Sequence, residues 1–268
     1  MQDEQFVTFE DLILTHKQEV ESGKGYPYNI ILEKDGQHLS YLGSNHSTDP
    51  EDGQYIMIDE NWEKFLALLG KKIVLIEGGE WEYIDDREAA IKQNGEGSYL
   101  KHLSVKSGIE NLCAEPPLEN ELKYLLTKHS KEEIFYFLMA RYIRQWPNMK
   151  DSWPTNLDTY LQDQMNFLQE KTGWSDIEFF IDSLAKIHAQ LFNTEIDLED
   201  YEHFEKAANP TIEGSAINLV SRNSSRFRDI HIVTQIARHW KEGKHIFIVF
   251  GSGHVIRQEP AIKAIMGV

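Results

Sequence analysis

Along the first part of the chain, short runs of β-branched and apolar residues alternate with apolar positions spaced for helices. Residues 28–33 and 38–43 are two such runs, and Lys34-Asp35-Gly36 lies between them. An Asp-Gly pair in that position is a hairpin signal, because the favoured tight turn needs positive φ at its central residues. Trp62, Phe65, Leu66 and Leu69 fall at i, i+3, i+4 and i+7, which predicts a helix over 60–69 capped by Asp59 and ended by Gly70. Residues 72–76 read as a strand closed by Glu77-Gly78-Gly79, and 109–114 as another ending at Glu115-Pro116-Pro117. Helices are expected over 9–20, 85–93 and 98–106. Strands and helices alternating at this spacing point to βαβ units and a parallel sheet.

The pattern then changes. Residues 118–127, 132–146, 157–171 and 177–192 are four helical stretches with no strand between them, and Ser130 and Ser175 stand where N-caps are wanted. Residues 209–225 read as loop. The earlier pattern resumes with a helix over 227–240, a continuous apolar strand over 245–250, and Gly251-Ser252-Gly253-His254 leading into a last helix. The expected fold class is α/β, with a mainly parallel central sheet, flanking helices and an α-helical insertion. The expected organisation is one composite domain: 1–117 as the N-terminal half of the core, 118–205 as the insertion, and 206–268 as the C-terminal part.

Composition narrows the function classes. The 268 residues carry 27 Lys+Arg against 44 Asp+Glu, a formal charge of −17. That excess of acid argues against nucleic-acid and membrane-surface partners, which need clustered Lys and Arg. Cys113 is the single cysteine, so no intrachain disulfide calls for an oxidising compartment. No apolar run approaches the about 20 residues of a spanning helix. The start Met1-Gln2-Asp3-Glu4-Gln5-Phe6 lacks the basic and apolar regions of a signal peptide. A cytoplasmic protein acting on a small-molecule or peptide substrate is expected.

In open parallel sheets, ligands bind beyond the carboxyl ends of the strands. That rule selects His46, Glu77, Glu115 and His254, each following a predicted strand. Both histidines stand in Gly-x-x-His, where glycine lets the backbone turn tightly. Taken singly, each has a plain reading: a strand-end histidine bonded at the surface, a solvated Glu77, a Glu115 that caps the next helix. Taken together, His46, Glu77, Glu115 and His254 form a ligand set for a catalytic divalent metal such as Mn, Co, Fe or Zn. No H-e-x-x-h type local signature accompanies them, so a metal-free route stays open, with a carboxylate-oriented histidine as general base on water.

Residues 221–229 are the one basic stretch. Arg228 could stabilise a developing oxyanion or pair with a site carboxylate, whereas Arg222 and Arg226 read as surface charges. Ser252 lies in Gly-Ser-Gly, but Val249 occupies the position of the first glycine of a nucleophile elbow. Cys113 reads as an inert buried thiol. His129, His188, His203 and His231 lack partners at ligand spacing, and Phe135, Tyr136, Tyr142 and Trp146 fall on helical spacing as core or lid.

At Gly43-Ser44-Asn45-His46, Glu77, Arg228-Asp229 and Gly251-Ser252-Gly253-His254 the chain resembles the superfamily that joins erythromycin-esterase-like proteins, Tiki proteases, TraB/PrgY/GumN proteins and ChaN haem-binding lipoproteins. The resemblance spans the whole chain in order and context, with a helical segment between the halves. It implies an α/β core with the site at the strand C-termini. It also implies a hydrolase in which His46, Glu77 and His254 hold a divalent metal or activate water directly, with Arg228 stabilising negative charge and Glu115 as a further ligand or orienter. The alternative it carries is a non-catalytic protein that binds haem, metal or a small molecule at the same rim, or a regulatory one.

Overall fold

The structure is a computed structural model that describes residues 8–149 and 155–268. The first residues, where no signal peptide is expected, lie outside them. After a 3-10 turn at Phe9–Leu12 the elements run α1 (His16–Glu21), β1 (Ile30–Lys34), β2 (Gln37–Ser44), α2 (Gly53–Ala67), β3 (Lys72–Ile76), α3 (Arg87–Lys106) and β4 (Asn111–Cys113). Then come α4 (Leu118–Leu125), α5 (Lys131–Met149), α6 (Leu157–Thr172), α7 (Ile181–Phe192), α8 (Tyr201–Ala208) and α9 (Ala216–Lys241), followed by β5 (His245–Gly251) and α10 (Ser252–Met266). The chain divides into two compact units, Met1–Pro116 with Arg228–Val268, and Pro117–Phe227.

The first unit is α/β. Its five-stranded sheet has the order β1-β2-β5-β3-β4 and is mostly parallel, since only β1 runs antiparallel to β2. The turn between β1 and β2 has positive φ at both Asp35 and Gly36, as the Asp-Gly signal requires. β5 comes from the far end of the chain and lies between β2 and β3, so all of its residues are buried. That explains its unbroken apolar run, because a central strand covered on both faces has no solvent side to alternate with.

Side chains leave each strand with period two and feed two cores. Leu39, Tyr41, Ile73, Leu75, Ile246 and Ile248 pack with α9 and α10 through Ile232, Val233, Ile236, Val255 and Ile262. On the other face Leu42, Val74, Ile76, Phe247 and Val249 meet α2 and α3 through Tyr55, Ile58, Trp62, Phe65 and Leu100. Trp62 stands edge-on to Phe247 at 5.1 Å. The second unit is helical, with a core centred on α5, whose residues 134–140 are all buried. Phe135, Tyr136 and Trp146 belong to that core. No helix among the described residues is long and apolar enough to cross a membrane.

Several expected elements are corrected. The helix expected at 60–69 starts earlier, at Gly53, with Asp52 as its cap accepting the Gln54 N–H at 2.9 Å. Tyr55 and Ile58 extend the apolar stripe backwards, while Leu69 lies past the helix end, fully exposed. Asp59 instead accepts from Tyr99 and Arg87. The helix expected at 9–20 breaks in two, because Thr15 opens a new capping box with Gln18. The loop expected at 209–225 is largely the start of α9. Its polar residues are buried and bonded rather than solvated: Asn218 Nδ2 donates to the carbonyls of Lys206, Ala207 and Asn209, and Ser221 Oγ to that of Ala208 at 2.6 Å.

Gly43 in β2 marks where the core tolerates no side chain. A Cβ there would collide with the Tyr28 carbonyl oxygen and Ser252 Oγ. Gly43→Ala is expected to cost about 1–3 kcal/mol by overpacking. Gly25→Ala, with open space around it, serves as the control. Urea unfolding midpoints of the two variants against the parent check this; equal midpoints would refute it.

Candidate active site

The carboxyl ends of β2, β3 and β5 bring His46, Glu77 and His254 to one rim of the sheet. His46 follows β2 with φ +56, a left-handed conformation that a residue with a Cβ adopts only when its surroundings hold it there. Two contacts do so. Its Nδ1 lies 2.5 Å from Glu96 Oε1, and its Nε2 packs on Gly251, where a Cβ would stand 2.6 Å away. Glu96 reaches this position because α3 is kinked at Asn94 and Gly95, both non-helical. The same carboxylate accepts from Ser44 Oγ at 2.8 Å. The His46–Glu96 hydrogen bond raises the His46 pKa to about 9, against burial and with help from the charges of Glu77 and Glu96. Burial penalises the Glu96 carboxylate, but the bond and charge of His46 outweigh it and hold its pKa below the ordinary value.

His254 forms the second pair. It sits in the first turn of α10, with Nδ1 2.6 Å from Asp229 Oδ1. Asp229 is buried in α9 and accepts two further bonds, from Gln258 Nε2 at 2.7 Å and Arg257 Nε at 2.8 Å. Burial works against its charge, yet Arg257 and His254 together keep its pKa far below the usual carboxylate range. Arg257 is in turn held by Glu19 of α1 at 2.5 Å, and Glu19 accepts from the Tyr26 hydroxyl. With Nδ1–H donated to a carboxylate, an imidazole presents Nε2 outward as a lone pair.

Glu77 lies where both histidines act on it. Its Oε2 accepts the Gly251 N–H at 2.7 Å. Burial pushes its pKa up, Glu115 adds to that, and the charges of His254, His46 and Arg228 oppose it. Arg228 makes an ion pair with Glu115 and stands 3.8 Å from Glu77. Glu115 is thus engaged by a guanidinium. His231, three residues along α9, is near enough for the Glu115 charge to raise its pKa, although burial lowers it overall.

His46, Glu77 and Glu96 each offer a ligand atom within 4.8 Å of one another, and imidazole nitrogen with carboxylate oxygen suits Mn, Fe, Co or Zn. His254 and Glu115, expected in the same ligand set, are not among the groups gathered there, and Glu96, which was not expected, is.

Other sequence candidates fall elsewhere. Ser252 Oγ donates to the Ser44 carbonyl and accepts the Tyr28 N–H, a structural role. Arg222 donates to the Ile212 carbonyl in the helical unit. Cys113 is half-buried, and burial raises its thiol pKa. His188 and His203 share the Tyr136 hydroxyl at 2.9 and 3.1 Å, a buried network that helical spacing alone did not reveal. Sequence reasoning passed over Glu96, Arg257 and Glu19; the Asn94-Gly95 break between two helical stretches was the one local sign that Glu96 is special. No protein-family model, curated protein or solved structure matches the chain.

His46 is expected to titrate near 9 in the parent and to return towards 6.5 in Glu96→Gln, read from histidine ring NMR signals against pH. The sign for stability follows. A raised histidine pKa contributes stability that is fully present below about 6.5 and lost as pH rises through about 9. The difference in melting temperature between parent and Glu96→Gln should narrow over that window. A His46 signal that titrates alike in both proteins would refute the pairing.

Proposed function

We propose that the protein is a hydrolase that activates water at this rim for attack on the carbonyl of a peptide, amide or ester. The observation that carries the reading is the pairing of two histidines with two buried carboxylates, His46 with Glu96 and His254 with Asp229, around Glu77. His254 is largely buried and His46 is exposed, yet each ring nitrogen Nδ1 is bonded to a buried carboxylate, which fixes the ring and leaves Nε2 facing the rim.

In the proposed reaction His254 Nε2 takes a proton from water, and the resulting hydroxide attacks the carbonyl. Asp229 fixes the tautomer and stabilises the imidazolium that forms. The Arg228 guanidinium faces the developing oxyanion, held in place by its ion pair with Glu115. His46, kept protonated by Glu96, donates its proton to the leaving amine or alkoxide, and the site is restored when His254 gives the proton taken from water to solvent and His46 takes one up from it. Glu77, fixed by the Gly251 N–H, balances the positive charge of both imidazoles. A divalent Mn, Co, Fe or Zn would be held at His46, Glu77 and Glu96, the groups whose ligand atoms gather there, with Asp229 bracing His254 beside it, and would supply a bound water of lowered pKa.

The order of Gly43, His46, Glu77, Arg228-Asp229, Gly251 and His254 along the chain supports an erythromycin-esterase/ChaN-like core, with the helical stretch as an insertion in one composite domain. A cytoplasmic setting belongs to the same reading, supported by the lone Cys113.

The test is a panel of p-nitrophenyl esters and aminoacyl and peptidyl p-nitroanilides, run on metal-stripped protein and with each of the four metals added. His254→Ala is expected to lower kcat by about 10²–10⁴-fold, with Asp229→Asn falling in the same direction. Turnover that survives both His46→Ala and His254→Ala would overturn the assignment.

A further inference from the structure

We propose that the open edge of β4, with the groove beside it, seats the substrate as an extended peptide carrying basic side chains; its cleavage, though not its binding, rests on the hydrolase reading above. β4 is the last strand of the sheet, and no strand of the described residues lies beyond it. Its register with β3 pairs Val74 with Asn111, Leu75 with Leu112 and Ile76 with Cys113. Val74 N–H donates to the Glu110 carbonyl at 2.9 Å and Ala114 N–H to that of Ile76 at 3.0 Å. Bonding in a parallel pair alternates along the strand. Residues 110, 112 and 114 therefore turn their backbone to β3, and Asn111 and Cys113 turn theirs to the open side.

Sheet edges are ordinarily blunted by lysine, proline or a bulge. Asn111-Leu112-Cys113 contains none of these; the strand is short, three residues, and all three are only half-buried. Lys101, the nearby cation, donates its Nζ to Asn111 Oδ1 at 3.0 Å.

A cavity of about 550 Å³ runs alongside, walled by β4, Trp81, Glu80 and Glu82. The Trp81 indole is a fixed wall. Its Nε1 donates to the Glu77 carbonyl at 2.8 Å, and Gly78 and Gly97 leave room for the ring, since a Cβ on Gly78 would stand 2.7 Å from it. The same indole that lines the groove is thus bonded to a site residue. At the other side β4 continues through Ala114 to Glu115, the partner of Arg228. A strand laid on β4 leads from the groove to the rim within two residues, about 7 Å of extended chain.

Backbone pairing supplies affinity in such strand addition, and side-chain pockets supply selectivity. Here the pocket offers an aromatic face and the carboxylates of Glu80 and Glu82, while its one lysine is engaged. Basic and apolar side chains in alternation match it. A small ester or amide would use none of the edge.

The test uses the full chain carrying His254→Ala, so that the probe is not consumed. A fluorescein-labelled hexapeptide of sequence Val-Lys-Val-Arg-Val-Lys is titrated by anisotropy beside its glutamate counterpart and a version N-methylated at alternate amides. The basic peptide is expected to bind saturably, and N-methylation to weaken it by about tenfold or more through loss of backbone pairing. The exposed changes Glu80→Lys and Glu82→Lys together should reverse the preference between the basic and acidic peptides. Absence of binding by the basic peptide, equal binding of the N-methylated one, or no preference over the acidic one would each overturn the proposal. Hydrolysis of small esters without peptide binding would defeat the groove alone. Peptide binding with no turnover of any substrate by the parent would defeat the hydrolase reading alone.

Discussion

A carboxylate at Asp229 sits almost wholly out of water, and an isolated buried charge is far too costly to keep. The α/β unit neutralises it from three directions. His254 and Gln258 share one oxygen, Arg257 takes the other, and Glu19 of α1 balances the guanidinium. Three stretches distant in sequence are therefore positioned by one anion: α1 with the Tyr26 loop after it, α9 and α10. Removing one partner of such a network leaves the rest uncompensated, at about 3–5 kcal/mol. The result is a histidine held in one tautomer and one orientation at the rim, which is what acid–base chemistry asks of it.

The second constraint is topological. β5 lies between β2 and β3, pairing Leu42 with Val249 on one side and Leu75 with Ile248 on the other. Neither half of the sheet is continuous without it. The same insertion assembles the site, because Gly251 at its end lies under the His46 ring and donates its N–H to Glu77. Fold closure and site closure are one event, so a chain lacking its last segment would lose both together.

Legibility in the sequence differed between the two histidine pairs. His46 and His254 each followed a strand in Gly-x-x-His, and strand ends are readable because a β-branched run and a glycine mark them. Their carboxylates were not equally visible. Asp229 was flagged only as a neighbour of Arg228, and Glu96 lay hidden in helical sequence, its role created by the kink at Asn94 and Gly95 that turns it beneath His46. The start of α9 failed for a related reason. Asn218, Ser221 and Ser224 look like loop residues, but each spends its polarity on buried partners, Ser224 on Glu121 at 2.6 Å.

What the sequence determined by itself follows from local rules: the period-two strands, the Asp-Gly hairpin, the alternation that makes an α/β sheet, and the glycines that mark the strand ends. Tertiary structure alone decided the strand order, the kinked approach of Glu96, and the bridge from Asp229 through Arg257 to Glu19. The physical reason is that periodicity records how much of each residue is buried and not against what. Desolvated charges find their partners through the fold, and no spacing along the chain states that Glu19 and Arg257 will meet.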